Sequence, residues 1–308
     1  MHRTLLFILL LSLTACETSF IPEPIPGAEQ IVAEGYVEAG ENAAPTYVIL
    51  TNSLPFFSEI NQETFNDIYV RDATVTVSDG TNEVRLTELC LSELEGELLE
   101  IASAFLGFDA SVVEAEFCLY IDLARELTPQ VGETYRLRIE TDTETLTAST
   151  TIPPHVPLDS LYFVPTPGEP SDTLVQLIGE LQDPPGEPNF YRYFTQINGG
   201  RTFAPISSVT DDRLFDGQYF AFPIGKAETR ETEFDPTEYG FFTKGDTVRL
   251  RWVNMDKEHF DFWNTLEFNA LNQGPFSSYT RVASNIEGNA IGIWGGYSVS
   301  YYDLTAEE

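Results

Sequence analysis

The sequence predicts a mainly β protein. An N-terminal immunoglobulin-like or transthyretin-like sandwich with a helical insertion precedes a second β-rich domain carrying one helix. Short segments rich in Val, Ile, Thr and Tyr recur along the chain, and turn residues separate them. Hydrophobic residues are 42% of the 308 residues and aromatic residues 13%, too many for a disordered chain despite a net charge of −33. This length favours two domains.

The N-terminus has the pattern of a lipoprotein signal. An apolar run over residues 5–13 follows Arg3 and ends at Leu-Thr-Ala-Cys16. Nine apolar residues are too few to span a bilayer, and the alternative is a short buried element. We therefore predict a signal peptide over residues 1–15, lipid attachment at Cys16, and a proline-rich tether that completes residues 16–29.

Residues 30–152 are predicted to form the N-terminal sandwich. Alternating or β-branched patterns followed by turn residues mark its strands. The predicted strands cover residues 30–37, 46–51, 73–78, 83–87, 134–140 and 144–151.

A helical insertion interrupts this sandwich at residues 91–117. Its apolar residues recur at helical spacing, and its acids lie on the opposite side. Lipidation of Cys16 would leave Cys90 and Cys118, one on each side of the insertion. In an oxidising compartment we expect these two to form a disulfide, and the alternative is two buried free thiols.

The proline-rich residues 153–158 are predicted to be a stiff linker to a C-terminal β-rich domain, residues 159–308. Asp256 is the expected N-cap of the helix, which ends before Gly274-Pro275. Alternation resumes at residues 290–301, where glycines predict a bulge. Strands are expected at residues 174–181, 191–197, 201–204 and 247–253, the middle two forming a hairpin across Asn-Gly-Gly.

No pattern in the sequence indicates catalysis. Only His155 and His259 remain after signal removal, so no histidine cluster is available to hold a metal, and we expect no catalytic residues, metal or cofactor. A hydrolase built on a carboxylate pair is the minor alternative, because 49 acids place some close together. The large negative charge excludes nucleic acid as a partner.

One acidic turn has the ingredients of a calcium loop. Asp211, Asp212 and Asp216 precede Gly217, but their spacing is not that of an EF-hand, and Arg213 would oppose a cation. We favour a plain acidic turn over a metal site.

The surrounding region is crowded with aromatic residues. Most are expected in the core, and a fraction near residues 217–222 and 239–242 is the candidate for an exposed platform that binds a partner protein or a glycan.

The chain resembles the Bacteroidota lipoproteins catalogued as domain of unknown function 4249. Each matching motif is weak alone, and their number and order carry the resemblance. The motifs are Cys16-Glu17 and residues 31–35, 71–78, 153–154, 159–162, 183–187, 191–193, 211–217, 245–248, 262–263 and 292–300.

The resemblance implies a location and no enzymatic activity. Members are outer-membrane lipoproteins whose genes often lie beside TonB-dependent receptors. We therefore expect a non-catalytic accessory that is held to the outer membrane through Cys16 and docks on a TonB-dependent barrel. A surface adhesin or glycan-binding module, with a glycan or peptide ligand, is the alternative. Thr18 follows Glu17 where a second acid would favour surface display, so both faces of the membrane stay open. Ser160, Thr173 and Thr247 match this group's short O-glycosylation pattern.

Overall fold

The computed structural model describes residues 30–54, 66–96, 99–100, 102–103, 116–168, 170–228, 235, 237–272 and 281–307. These residues form seventeen strands in three sheets and one helix of 15 residues, which confirms the predicted mainly β class. The predicted signal peptide and the tether with Cys16 lie outside the described residues.

Eleven of the seventeen strands fall close to predicted segments, and the strands at residues 87–90, 118–121, 160–165, 209–211, 219–224 and 242–243 were not predicted. In chain order they are β1 Ile31–Ala39, β2 Tyr47–Asn52, β3 Thr74–Ser78, β4 Glu83–Arg85, β5 Thr87–Cys90, β6 Cys118–Ile121, β7 Thr134–Glu140, β8 Thr145–Thr151, β9 Ser160–Pro165, β10 Leu174–Gln182, β11 Phe190–Ile197, β12 Thr202–Phe203, β13 Val209–Asp211, β14 Tyr219–Ile224, β15 Phe242–Thr243, β16 Thr247–Met255 and β17 Ala290–Thr305. The helix α1 is Lys257–Leu271.

The long strand β17 joins the two halves of the chain in one sheet. The order of the nine-stranded sheet is β12-β11-β16-β17-β1-β2-β6-β5, with β13 also paired to β11. β17 pairs parallel with β1, from Ile31 opposite Ala290 to Ala39 opposite Ser298. Its C-terminal part pairs antiparallel with β16. The division into domains stays a prediction, and strands from both sides of the predicted linker share this sheet.

One face of β17 contributes to two hydrophobic cores. Because side chains alternate along a strand, its even-numbered residues point to the same face. Ala290 and Trp294 pack in a core with the four-stranded sheet β4-β3-β7-β8. Tyr302 and Leu304 pack in a second core with the sheet formed by β14, β10, β15 and β9. Two small sheets therefore cover one face of the large sheet, each over a different half of β17.

The opposite face of β17 carries α1 and a buried ion pair. Ile293, Tyr297 and Val299 pack with the buried helix residues Phe260 and Phe262. On the same side, Arg251 of β16 reaches across β17 to form an ion pair with Glu38 of β1. The Arg251 guanidinium also lies 5.1 Å from the centre of the Tyr297 ring. These contacts link the three central strands through side chains as well as through backbone hydrogen bonds.

The proline-rich linker lies across the middle of β17. Ile152, Val156 and Leu158 are buried, and five side-chain bonds hold the segment to β16 and β17. The bonds join Ser298 Oγ to the Pro154 carbonyl (3.4 Å), Ser300 Oγ to His155 Nε2 (2.6 Å), Trp252 Nε1 to the Val156 carbonyl (3.0 Å), the Val156 N–H to Asn254 Oδ1 (3.0 Å) and the Leu158 N–H to Tyr302 Oη (3.0 Å).

The structure joins Cys90 and Cys118 in a disulfide, with an S–S distance of 2.06 Å. The two residues are opposite each other on β5 and β6, so the bond lies within the ladder of the large sheet. Most of the predicted helical insertion, residues 91–117, is outside the described residues. Its described start is a single 3-10 turn, Leu91–Glu93.

A glycine in β17 allows the backbones of β17 and β1 to approach closely. The expected bulge is wrong, because the register with β1 and β16 runs without interruption. Gly292 has φ +135°, and a Cβ there would lie 1.8 Å from the Ala33 carbonyl oxygen. A side chain at this position would therefore push β1 away from β17.

Gly292→Ala should lower the free energy of unfolding by about 3 kcal/mol or more, because it adds a backbone clash to an unfavourable φ. Gly132→Ala is the matched control, since Gly132 has φ +86° and open space at the Cβ position. The control should lose only about 1–2 kcal/mol. Urea unfolding of the two variants gives the comparison, and equal losses would contradict the close approach.

Asp256 caps the N-terminus of α1. Its Oδ1 accepts the His259 N–H at 2.8 Å, and Thr150 Oγ1 donates to its other carboxylate oxygen. Burial raises the pKa of Asp256 from 3.8 to about 6. The folded state therefore holds this proton more tightly than the unfolded chain, and the contribution of Asp256 to stability falls as pH rises from about 4 to about 6.

Asp256→Asn keeps an oxygen that accepts the His259 N–H and removes this titration. The free energy of unfolding of the wild type, relative to the variant, should fall by about 1–3 kcal/mol between pH 4 and pH 6.5. Urea unfolding across this range measures the difference. Parallel pH profiles for the two proteins would show that Asp256 titrates normally.

Candidate functional site

An aromatic cavity opens between the large sheet and β14. It has a volume of about 600 Å³, within the range of small-molecule sites. Tyr191 of β11 and Trp252 of β16 form its inner wall, Phe220 and Phe222 of β14 form a second wall, and Phe215 with Leu214 comes from the turn over residues 212–218. We call these six residues and the space they line the aromatic cleft.

Five rings of the aromatic cleft contact one another in a closed circuit. The ring-centre distances are 4.8 Å for Phe215–Phe220, 5.4 Å for Phe220–Phe222, 5.8 Å for Phe222–Trp252, 5.3 Å for Trp252–Tyr191 and 6.3 Å for Tyr191–Phe215. Each ring lies within 36° of parallel to the next. Trp252 and Tyr191 are buried, whereas Phe220 is 37% exposed and Leu214 is 90% exposed. The cleft therefore has a rigid floor and an open, apolar mouth.

Strand alternation explains why β14 supplies the wall. Phe220 and Phe222 are two residues apart and face inward, while Tyr219 and Ala221 between and beside them face solvent. On the paired strand β10, Gly179 lies opposite Phe222. A Cβ at Gly179 would lie 2.7 Å from the Ile224 side chain. The absence of that Cβ lets β14 pack its inward side chains against β10.

Three aspartates hold the turn that carries Leu214 and Phe215. Asp183, which is fully buried, accepts the Tyr191 hydroxyl at 2.5 Å and the Gly217 N–H at 3.0 Å. Asp216 accepts the Gly186 N–H at 2.8 Å, and Asp212 accepts the Asn189 N–H at 2.7 Å. These bonds tie the turn to the loop over residues 183–189 and so place one end of the aromatic cleft.

The structure separates the three aspartates of the candidate calcium loop, for which a plain acidic turn was the favoured prediction. Asp212 and Asp216 come together with Asp183, and one carboxylate oxygen of each lies within 4.8 Å of the others. Asp211 instead forms an ion pair with Arg213 at 2.7 Å. Oxygen ligands suit a hard cation. However, backbone N–H groups already bind all three carboxylates, so the turn itself accounts for the cluster.

Among the described residues, one histidine contacts a serine and the other is held by ring packing. His155 Nε2 contacts Ser300 Oγ, but His155 Nδ1 has no hydrogen-bond partner there, so no carboxylate orients the ring. Burial lowers the pKa of His155 and, more strongly, that of His259. His259 is fully buried and packs between Tyr36 and Tyr297, with ring centres 5.3 Å and 4.4 Å away. Both histidines support packing.

The three predicted O-glycosylation residues lie in separate places. Ser160 begins β9 and is partly buried, Thr173 is exposed before β10, and Thr247 is exposed at the start of β16. Asn198 Oδ1 accepts hydrogen bonds from both the N–H and the hydroxyl of Thr247. Modification of these residues stays a prediction.

A second cavity, of about 820 Å³, lies beside the sheet that contains β3, β7 and β8. Its lining mixes apolar residues with charges of both signs, such as Arg136, Arg138 and Glu287. It has no cluster of aromatic rings among its lining residues. The aromatic cleft is therefore the stronger candidate for a binding site.

Two residues of the aromatic cleft, Phe220 and Phe222, lie in the segment 217–222 that was the candidate for an exposed platform. Tyr191 and Phe215 belong to the crowd of aromatic residues of which most were expected in the core. Trp252 lies in a predicted strand, and its indole meets the other rings because β16 pairs with β11. The motif Asp183-Pro-Pro-Gly indicated a loop in the sequence. The hydrogen bonding of Asp183 to the distant turn over residues 212–218 could not be predicted from it.

The comparison with protein families identifies the chain. Residues 17–303 match the model described as Domain of unknown function (DUF4249). The chain belongs to this family. Searches of curated proteins and of solved structures each returned no match. The family membership confirms the expected resemblance at that level and assigns no molecular activity. Among the described residues, no helix combines the length and apolarity needed to cross a membrane.

Asp183→Ala should lower the free energy of unfolding by about 2–4 kcal/mol, since it leaves the buried Tyr191 hydroxyl and the Gly217 N–H without their acceptor. Asp216→Ala is the matched control, because Asp216 is exposed and accepts one backbone N–H. That variant should lose about 0.5–1.5 kcal/mol. Urea unfolding measures the loss in free energy of unfolding for each variant. Similar losses for the two variants would argue against Asp183 as the residue that contributes most to holding the turn.

Proposed function

We propose that the protein is a lipid-anchored outer-membrane protein without catalytic activity, which binds an apolar group in the aromatic cleft as an accessory of a TonB-dependent transporter. The observation that carries the binding role is a cavity of about 600 Å³ whose lining includes five aromatic rings in contact with one another. Aromatic walls with a few polar groups at the rim are typical of small-molecule sites. Filling the cavity would remove the exposed Leu214 and Phe220 side chains from water.

The membrane anchor rests on the sequence at Cys16. A basic start, an apolar run and Leu-Thr-Ala before the cysteine are the parts of a lipoprotein signal. Several acyl chains on one cysteine would hold the protein on its membrane, because each buried methylene contributes about 0.8 kcal/mol. The resemblance to lipoproteins encoded beside TonB-dependent receptors supports a barrel as the partner.

The contacts of the two histidines and of the three clustered aspartates support the proposed absence of catalytic activity. His155 lacks an orienting carboxylate among the described residues, and His259 is sealed from solvent by packing. The three clustered aspartates are engaged by backbone N–H groups rather than directed at an open space. A hydrolase would need an activated water or nucleophile beside such groups.

A glycan-binding module is the second candidate, and a different surface favours it. On the outer face of the small sheet, the hydroxyls of Tyr162 and Tyr219 donate to the two carboxylate oxygens of Glu180, at 3.2 Å and 2.6 Å. The two tyrosines are 40% and 57% exposed. Paired exposed rings beside a hydrogen-bonding carboxylate are suited to stacking on a sugar. A glycan array with wild type and Tyr219→Ala tests this candidate.

The transporter role predicts a stable complex in the native outer membrane. A C-terminally tagged protein with Cys16 intact, extracted gently, should recover a stoichiometric TonB-dependent barrel. Cys16→Ala, which lacks the lipid acceptor, is the control and should lose both palmitate labelling and the barrel. A wild-type protein that is labelled with palmitate but is recovered alone would contradict the transporter role, and glycan binding would then lead.

A further inference from the structure

We infer that the free edge of β14 accepts an extended segment of a partner protein, which pairs with β14 as an additional strand and places apolar side chains over the aromatic cleft. This inference rests on the proposed binding role of the cleft and specifies the ligand as a polypeptide strand. Three features of the molecule support it: the hydrogen bonding of β14, the composition of β14 and the position of the cavity.

β14 has a hydrogen-bonding partner on one side only. Within the described residues it pairs with β10 and lies at the edge of its sheet. In an antiparallel pair, alternate residues direct both backbone groups to the neighbouring strand, and the residues between them direct theirs away. The Asp183 N–H donates to the Gln218 carbonyl at 3.1 Å, so Gln218 directs this carbonyl to β10. The next residue, Tyr219, and then Ala221 therefore direct their backbone groups away from β10.

These outward groups have no partner in the part of the chain that the structure describes. No hydrogen bond reaches the backbone of Tyr219 or Ala221 from that side, and both residues are exposed. Pro223, the next residue of the same parity, has a free carbonyl but no N–H. The open edge thus presents the N–H groups of Tyr219 and Ala221 and the carbonyls of all three residues to an incoming strand.

The composition of β14 leaves this edge unprotected. Free edges of soluble sheets usually carry charged side chains, which discourage pairing with another chain. The edge strand β4 has Glu83 and Arg85, and the edge strand β5 has Glu88. β14 has the sequence Tyr-Phe-Ala-Phe-Pro-Ile, without a charge, and Pro223 protects only its end. Its composition therefore suits a strand that pairs with a further strand.

The cavity of the aromatic cleft lies beside this open edge. Phe220 and Phe222 of β14 line it from the small sheet, and Val209 and Thr210 line it from β13 of the large sheet. The turn over residues 212–218 joins β13 to β14 at one end of the gap. β9, on the other side of β10, also lacks charge but contributes no residue to the lining. The space beside β14 therefore has room for the inward side chains of one further strand.

An added strand would use the backbone edge and the cavity together. Its side chains would alternate between the two faces of the sheet, as those of β14 do. The inward side chains would cover Phe220, which is 37% exposed, and Leu214, which is 90% exposed. The rings of the cleft could keep their contacts with one another, because the strand covers their exposed edges. Backbone hydrogen bonds would give affinity, and the alternate apolar side chains would give selectivity.

The net charge of the chain favours a foreign strand over a second copy. Two β14 strands could pair antiparallel, but each copy has a net charge of −33. A charge so far from zero makes copies repel one another and keeps a protein monomeric. A segment without acidic residues avoids this repulsion. The occupant is therefore an extended, alternately apolar segment that is neutral or basic.

Fluorescence anisotropy of a labelled peptide, Lys-Thr-Val-Thr-Val-Thr-Val-Lys, tests the inference on the full chain in detergent. The parent peptide should bind. Two isomers have N-methyl groups on the three threonines or on the three valines. Alternate residues of a strand direct their N–H groups to opposite sides, so only one isomer blocks the side that pairs with β14. In antiparallel pairing with the valines inward, the threonine isomer should bind about tenfold more weakly, and the valine isomer should bind like the parent.

Variants of β14 locate the contact. Ala221→Pro removes an outward N–H and should weaken binding of the parent peptide about tenfold or more. Ala221→Val keeps this N–H and is the matched control, which should bind like the wild type. Phe220→Ala removes a ring beside the inward side chains and should weaken binding about threefold or more. Tyr219→Ala alters the candidate glycan surface but keeps the backbone, so it should bind the peptide normally. Near-ultraviolet circular dichroism checks that each variant is folded, and the peptide isomers need no variant.

Amide hydrogen exchange of the wild type tests whether the edge is open. The amides of Tyr219 and Ala221 should exchange rapidly in the free protein and about tenfold more slowly with the parent peptide bound. Slow exchange in the dilute free protein would show that the chain covers its own edge and would overturn the inference. Slow exchange that appears only at high protein concentration would identify a second copy as the occupant, which also contradicts it.

The peptide results separate the strand site from the wider function. Equal binding of the parent and both isomers would overturn strand pairing and leave an apolar site that recognises side chains alone. Absence of binding by the parent peptide, or normal binding by Ala221→Pro, would also overturn it. The transporter role is tested by recovery of the barrel. A wild type that recovers the barrel but binds no peptide would keep that role and lose the strand site, and the reverse result would do the opposite.

Discussion

The pairing of β17 with β1 on one side and β16 on the other is the interaction on which the rest of the structure depends. This strand has 16 residues, long enough to extend under both small sheets. Trp294 near its start and Tyr302 near its end are in different hydrophobic cores. The Arg251–Glu38 ion pair reinforces the same three strands from the other face. A buried ion pair of this kind contributes little net stability, and we expect it to favour one register over its neighbours.

The aromatic cleft inherits its geometry from this arrangement. Trp252 is on β16, the direct neighbour of β17, and its indole N–H is held by the Val156 carbonyl of the proline-rich segment. Tyr191 is on β11, the next strand, and its hydroxyl is held by Asp183. Two rings of the cleft are thus fixed by polar groups at their edges, which leaves the ring systems available for contact. The opposite wall, from β14, belongs to a different sheet. The cleft is therefore a gap between two sheets whose separation is set by the core beneath it.

Local patterns in the sequence predicted eleven of the seventeen strands, the hairpins and the helix, because alternation, turn residues and the Asp256 cap act over a few residues. The predicted sandwich class was inferred from these strands and hairpins. The pairing of strands that are distant in the sequence could not be inferred from them. Nothing in residues 31–39 indicates that they lie parallel to residues 290–298, since hydrophobic alternation is compatible with many partners.

The same limit explains the candidate site. Asp212 and Asp216 were visible as an acidic turn, whereas Asp183 joined them only through folding. The proline-rich segment was predicted to be a stiff linker, because the sequence alone does not show that Ser298, Ser300 and Trp252 bind it.

Because strands from both halves of the chain pair around β17, we expect the halves to unfold as one unit, and two tryptophans report on this directly. Trp294 is in the core of one small sheet, and Trp252 is in the core of the other. The measurement is urea unfolding of 5-fluorotryptophan-labelled protein followed by fluorine NMR, with the resonances assigned by Trp→Phe variants. The native signals of Trp252 and Trp294 should disappear together at one urea concentration. Two separate transitions would show that the halves unfold independently and that β17 does not couple them.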